Sequence, residues 1–188
     1  FVAVAQSGTD NGAYYTDGIN WTTVAMAANL WKSVSYGVPS TGIYAGTGLF
    51  VAVAYSGTNR VMYSTDGISW TLGNTPQQNE WNAITFGNGK FVAVANDGTN
   101  RIIHSTDGIN WTQEVAPIQT NWRTVTYGNG YYMAVSATGG YTMYSADAIN
   151  WTVESATNTS SWTCVGYGNG KFVALSQNGT DRVMYSYA

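Results

Sequence analysis

The residues with the most chemistry to offer are four arginines, three loop glutamates, one histidine and one cysteine. Arg60, Arg101 and Arg182 share one recurring slot, after Gly-Thr-Asn, Gly-Thr-Asn and Gly-Thr-Asp, and Arg123 stands elsewhere. Glu80, Glu114 and Glu154 recur in or near another slot. Hydrolysis of a glycosidic bond needs two carboxyl groups roughly 5–10 Å apart. One carboxylate per repeat of a ring does not supply that pairing. His104 stands where the equivalent phrases carry Tyr15, Tyr63, Tyr144 and Tyr185, so it is read as structural. Cys164 fills a slot held by Ser33, Ala83 and Thr124 elsewhere, and a buried structural thiol is expected there. No Cys/His metal spacing, Gly-rich phosphate loop or nucleophile elbow occurs. No catalytic residue, metal or cofactor is therefore assigned.

The elements that must position these residues come from a repeat. Trp70, Trp111 and Trp151 are spaced 41 and 40 residues apart, as are Trp81, Trp122 and Trp162. Trp21 and Trp31 continue the two series 49 and 50 residues upstream. A fixed period in this range marks a solenoid, propeller or array. The type unit has four phrases: Trp81-Asn-Ala-Ile-Thr-Phe86, Phe91-Val-Ala-Val-Ala95, Arg101-Ile-Ile-His-Ser105 and Ile109-Asn-Trp-Thr112. Each is short, β-branched and aromatic, and is bounded by Gly, Asn or Asp, which reads as strands joined by tight hairpins. No stretch keeps a helical period beyond two turns. The second phrase has no polar face and is expected to be buried on both sides. Four antiparallel strands per unit of this length predict an all-β propeller blade.

The turn between the third and fourth phrases reads Tyr15-Thr-Asp17-Gly-Ile-Asn-Trp21, Ser64-Thr-Asp66-Gly-Ile-Ser-Trp70 and Ser105-Thr-Asp107-Gly-Ile-Asn-Trp111. It resembles a shortened Asp-box (BNR) turn of sialidase-type propellers, with one residue fewer between Asp and Trp. Ser145-Ala-Asp147-Ala-Ile-Asn-Trp151 departs further, with Ala148 for Gly. The resemblance implies that Asp17, Asp66, Asp107 and Asp147 accept hydrogen bonds from the turn backbone. It also implies that Trp21, Trp70, Trp111 and Trp151 pack inside the blade. A sialidase-like glycosidase would need converging arginines and a tyrosine nucleophile beside a Glu, and ranks third among the functional readings.

The phrase count predicts eighteen strands, or four and a half blades, in one domain spanning 1–188. The repeats are 1–30 (partial), 31–80, 81–121, 122–161 and 162–188 (partial). About five blades, or a segment of a larger ring continuing into further blades or other subunits, are expected. An insertion, Gly37 to Leu49, carries Val38, Ile43 and Tyr44 and is expected to pack against a neighbouring domain or subunit.

Charged residues are 9% and aromatics 14%, with a net charge of −3. That balance excludes disorder and argues against nucleic-acid binding, and no apolar run approaches the roughly 18 residues of a membrane span. The richness in Thr, Asn, Ser, Gly and aromatics is that of extracellular, cell-surface or virion proteins. One predicted rim gathers the loops between the second and third strands with the connections between blades. It carries Asn59, Arg60, Asp97, Asn100, Arg101, Asp181 and Arg182, beside Trp31, Trp81, Trp122 and Trp162. Amides and guanidiniums can fork hydrogen bonds to sugar hydroxyls, and an indole can stack on a sugar ring. The expected function is non-catalytic recognition, with multivalent glycan binding or adhesion first. A structural or protein-binding propeller in a surface or virion assembly comes second. Repeats of this wording resemble those of bacterial surface proteins, phage fibres and propeller lectins.

Overall fold

The computed structural model describes residues 1–8, 10–17, 19–155 and 160–187, with Tyr187 as backbone only. The Asn158 end of the last connection lies outside the described residues. Among those described, eighteen strands form five antiparallel sheets, and none is helical. The first sheet is β1 (Val2–Val4), β2 (Gly12–Tyr14) and β3 (Thr22–Val24). The second is β4 (Trp31–Gly37), β5 (Leu49–Ala54), β6 (Val61–Ser64) and β7 (Thr71–Gly73). The third is β8 (Trp81–Gly87), β9 (Lys90–Ala95), β10 (Ile102–Ser105) and β11 (Thr112–Glu114). The fourth is β12 (Trp122–Gly128), β13 (Tyr131–Ser136), β14 (Tyr141–Ser145) and β15 (Thr152–Ser155). The fifth is β16 (Trp162–Gly168), β17 (Lys171–Ser176) and β18 (Val183–Tyr187). Each sheet is a simple meander.

Local chemistry sets the hairpins. Asn88-Gly89, Asn129-Gly130 and Asn169-Gly170 all take positive φ, the type I′ turn that suits a two-residue β-hairpin. The register of each Trp-led strand slips between the tryptophan and the second residue after it. This bulge takes Lys32, Asn82, Arg123 or Thr163 out of the ladder and turns the preceding indole between sheets.

The sheets stack face to face in chain order, with strands β4, β8, β12 and β16 side by side. One pattern builds every junction. Val51, Val53 and Val61 of the second sheet meet Trp81, Ile84, Phe91, Ala93 and Ile103 of the third. Val92, Val94 and Ile102 of the third meet Trp122, Val125, Tyr132, Ala134 and Met143 of the fourth. Val4 meets Trp31, Ala52 and Met62 at the first junction, and Val135 meets Trp162 and Ala174 at the last. Trp31, Trp81, Trp122 and Trp162 are all 0% exposed. The expected two-sided burial of the second phrase therefore holds in the interior sheets.

The ends of the stack differ. Val173 and Leu175 are 38% and 44% exposed, whereas the equivalent Val51, Val53, Val92 and Val94 are fully buried. Cys164 shares that uncovered face and is exposed, which corrects the expectation of a buried thiol. Among the described residues no following sheet lies over it, as sheets lie over Ser33, Ala83 and Thr124.

The insertion after Gly37 folds back on its own molecule. The Thr41 hydroxyl lies 2.8 Å from that of Thr106, Gly42 abuts Asp107, and the Tyr44 and Tyr63 rings are 5.9 Å apart. Val38 and Ile43 alone of its larger side chains point outward.

The last glycine of each Trp-led strand allows the closest approach. A methyl on Gly37, Gly87 or Gly128 would overlap the ring of Phe86, Tyr127 or Tyr167 in the next sheet. Gly168 has nothing within 4 Å of that position. Gly87→Ala is expected to lose about 1–3 kcal/mol by overpacking. Gly168→Ala is expected to stay within about 0.5 kcal/mol of the parent. Urea unfolding of the two variants side by side checks the stacking order, and equal losses would contradict it.

Candidate functional site

The four turn aspartates serve the backbone. Asp66 Oδ1 accepts the N–H groups of Ile68 and Ser69, both at 2.8 Å, and the Ser64 hydroxyl at 2.9 Å. Asp107 and Asp147 repeat this with Ile109, Asn110, Ile149 and Asn150, and add the Asn110 and Asn150 side-chain amides. Asp17 accepts Ile19, Asn20 and the Asn20 amide. Such donors favour the ionised form. The Asn20 and Ile19 N–H groups hold Asp17 down to about 2. Asp147 is held well below the carboxylate range, mainly by Asn150 and Ile149, and Asp66 is lowered by Ser69 and Ile68. At Asp107, burial opposes ionisation, and the Asn110 and Ile109 donors outweigh it.

The indole N–H groups of Trp70 and Trp151 close their turns on the carbonyls of residues 67 and 148. Trp111 is half-buried in the same position, while Trp21 is half-exposed on the first sheet. Ala148 adopts the left-handed φ of 66° that Gly67 and Gly108 adopt elsewhere, fully buried.

The expected rim is assembled, but most of its polar groups are committed to it. Arg60 donates from Nε to the Gly57 carbonyl at 3.1 Å and from a terminal nitrogen to that of Tyr55. Arg101 does the same with Gly98 and Asn96, and also reaches the Thr120 carbonyl of the next connection. Arg182 bonds the Gly179 carbonyl at 3.2 Å. These guanidiniums staple their own loops instead of opening into pockets. Asn59 and Asn100 offer their carbonyls to the amides of Asn29 and Asn79. Asp97 Oδ1 accepts the Glu80 N–H at 2.6 Å, and Asp181 lies exposed beside Arg182. Burial closes the faces of Trp31, Trp81, Trp122 and Trp162 to a stacking sugar.

Sequence reading missed the slot two residues before those tryptophans. Asn29, Asn79, Thr120 and Ser160 are buried there, and the first three bond the loop carbonyls of Thr58, Asn100 and Thr138. Their signal was a small polar residue at a fixed offset from Trp in every repeat.

One group of ionisable side chains does converge on this rim, beside the junction of the second and third sheets. The Asn96 amide bonds Glu80 Oε2 at 2.6 Å and lies 3.4 Å from the Tyr55 hydroxyl. Hydrogen bonding to Glu80, then burial, raises the Tyr55 phenol, so it stays protonated at neutral pH. Lys32 Nζ lies 5.8 Å from the centre of the Tyr55 ring, and burial and the charge of Arg123 lower its pKa. A tyrosine hydroxyl thus lies beside a glutamate here. The repeat-slot arginines are occupied by their own loops, and a protonated phenol is a poor nucleophile.

A cleft of about 380 Å³ between the second and third sheets is lined by Tyr63, Leu72, Asn74, Asn110 and Trp111. In the next sheet the Glu114 side chain reaches His104 at 3.2 Å, where the second sheet has Gly73 and Tyr63. Another, of about 300 Å³, lies between the fourth and fifth sheets. No group of three or more His, Cys, Asp or Glu side chains able to hold a metal occurs among the described residues. No helix there is long and apolar enough to cross a membrane.

No family model and no curated protein matches the chain. Among solved structures it is similar to virginiamycin B lyase from Staphylococcus aureus, with a TM-score of 0.74 and 13% identity over 100% of this chain and 69% of that one. A streptogramin B lyase gives 0.77 and 10%, over 96% of this chain and 63% of that one. YCF48 bound to the D1 peptide gives 0.55 and 18%, over 90% and 58%. The chain thus spans between 58% and 69% of the length of these structures. Identities this low define the fold alone, a repeat protein of the β-propeller type, seen here as an unclosed stack of five sheets.

Two outcomes are expected. Because the turn aspartates ionise more readily folded than unfolded (ordinary value 3.8), their stabilisation is present above about pH 4 and is lost as pH falls through their folded values. The urea midpoint should therefore fall below pH 4. The fall should be shallower in a variant carrying Asp66→Asn, Asp107→Asn and Asp147→Asn. Separately, Arg101→Ala should cost about 1–3 kcal/mol in thermal denaturation. Arg101→Lys should recover little, since an ammonium cannot span three carbonyls.

Proposed function

We propose that the chain is a non-catalytic recognition module whose ligands are polypeptides. The observation that carries this is the commitment of the repeated polar groups. The turn aspartates and the three slot arginines all bond their own backbone, which leaves a rigid scaffold with clefts between sheets. Rigid sheets that present clefts suit binding of extended chains. YCF48, a fold neighbour bound to a peptide, supports a protein partner by analogy. The Asp-box-like turns and the composition support an extracellular, cell-surface or virion setting.

Carbohydrate recognition is the second reading. It is favoured by the cleft in which Tyr63 and Trp111 stand beside the amides of Asn74 and Asn110, the combination that packs on a sugar ring and bonds its hydroxyls. A lyase or glycosidase activity is the third. Panning a random-peptide display library in parallel with a broad glycan array separates the first two. Enrichment of a peptide motif is expected, with little retention of glycans. Glycan binding abolished by Trp111→Ala, with no peptide enriched, would favour the second reading. Turnover of chromogenic glycosides, lost in Tyr55→Phe, would overturn the non-catalytic one.

A further inference from the structure

The second repeat alone carries glycine at the third place after its turn tryptophan. Gly73 stands where the other repeats have Val24, Glu114 and Glu154. Gly73 pairs with Val61 on the face turned toward the third sheet, as Glu114 pairs with Ile102 on the face turned toward the fourth. In the third sheet the Glu114 carboxylate crosses that face to reach His104 at 3.2 Å. In the second sheet Tyr63 replaces His104, and Gly73 puts no side chain in the place of the glutamate. The space left is the cleft of about 380 Å³. Both its walls are complete, because the second and third sheets each have four strands and lie side by side. Residue type at one slot opens this cleft, whatever lies at the ends of the stack.

The lining has a consistent chemistry. Tyr63 and Trp111 give it aromatic walls, with Leu72, Pro76 and Ile109 beside them and no charged residue. Tyr44, from the insertion that the other repeats lack, stands 5.9 Å from the Tyr63 ring and braces it. Four donors of the lining are unanswered among the described residues. The Thr75 hydroxyl and the Trp111 indole N–H are buried without a partner, whereas Trp70 and Trp151 bond the carbonyls of residues 67 and 148. The Tyr63 hydroxyl and the Asn74 amide bond no described residue. The Asn110 amide is already taken by Asp107. Unpaired donors are costly away from water, so a cleft that gathers them is a place for acceptors.

Aromatic walls with free donors and no charge fit one kind of polypeptide. A proline-rich segment is preformed as a polyproline II helix without internal hydrogen bonds, so its carbonyls are all free to accept. Proline has no backbone N–H and asks for no acceptor in return. Its rings pack on aromatic faces, which is how such segments dock in aromatic-lined grooves. An acidic or basic peptide finds no counter-charge in this lining. The volume lies within the range of ligand pockets, roughly 300–1,000 Å³. We propose that this cleft binds a proline-rich segment of a partner protein, its proline rings packed on Tyr63 and Trp111 and its carbonyls accepting from Asn74 and the Tyr63 hydroxyl. The proposal rests on the polypeptide-recognition reading and names its ligand chemistry.

The test uses the 188-residue chain and acetylated, amidated decaproline, with a Gly-Ser repeat of equal length as control. With nitrogen-15 labels, decaproline is expected to shift the Trp111 indole N–H signal saturably. The signals of Trp31, Trp81, Trp122 and Trp162, sealed between sheets, should stay in place. Trp111→Phe assigns the signal. Gly73→Glu supplies here the side chain that Glu114 carries in the next repeat, and it should abolish binding. A Cβ at Gly73 meets nothing nearer than Val61 at 3.4 Å, so the fold accommodates it, and an unchanged melting temperature checks this. Asn74→Ala, at an exposed position, should weaken binding about fivefold, the share of one hydrogen bond. Absence of shifts at millimolar decaproline, equal binding of the Gly-Ser peptide, or undiminished binding by either variant overturns the proposal. So does a glycan that moves the Trp111 signal when decaproline does not. If decaproline fails while the display library enriches a motif that leaves Trp111 unmoved, the cleft assignment falls and the recognition reading stands. If neither decaproline nor any library peptide binds, both fall.

Discussion

Each sheet depends on the next one covering its valine face. The valines of one β-sheet and the Trp-led strand of its neighbour exclude water together. At about 25 cal/mol per Å², an indole burying about 200 Å² contributes on the order of 5 kcal/mol before entropy is counted. Four such indoles stand at four junctions, all fully buried. The glycines that let neighbouring rings approach, the hairpins that fix strand register and the bulge that turns the indole inward all serve this contact.

That dependence explains where the polar groups are. With charged residues at 9%, few charged side chains exist, and the slot arginines and turn aspartates among them are bound to loop backbone. A hairpin that must meet its neighbour at a fixed distance cannot leave its carbonyls and amides unanswered near a buried seam. Arg101 satisfies three carbonyls across two loops, and each turn aspartate satisfies two or more N–H groups. The same residue types on a free loop would look like ligand-binding equipment. The Tyr55, Glu80, Asn96 and Lys32 group is the exception, because it straddles two sheets and belongs to no single turn.

The open ends of the stack follow from the same contact. Where a neighbour is present, valine is sealed. Where none lies alongside among the described residues, Val173, Leu175 and Cys164 meet solvent. The repeat is thus a set of equivalent sites made unequal only by what lies beside them.

By itself the sequence determined the strands. Their number, order and turn types follow from the Trp spacing, the Asn-Gly pairs and the Ser-x-Asp phrases, because these are local constraints that each repeat satisfies within about ten residues. The hydrogen-bonding duty of Asp17, Asp66, Asp107 and Asp147 was implied by the resemblance that their turns carry. Tertiary structure alone decided which faces are covered. Trp31 and Trp21 read as equally aromatic, yet one is sealed between sheets and the other is half-exposed, since burial depends on a neighbour the local wording does not contain. It also decided that Arg60, Arg101 and Arg182 bond their own carbonyls, because a side chain's partner is a matter of distance in space, and spacing along the chain reports only that the slot recurs.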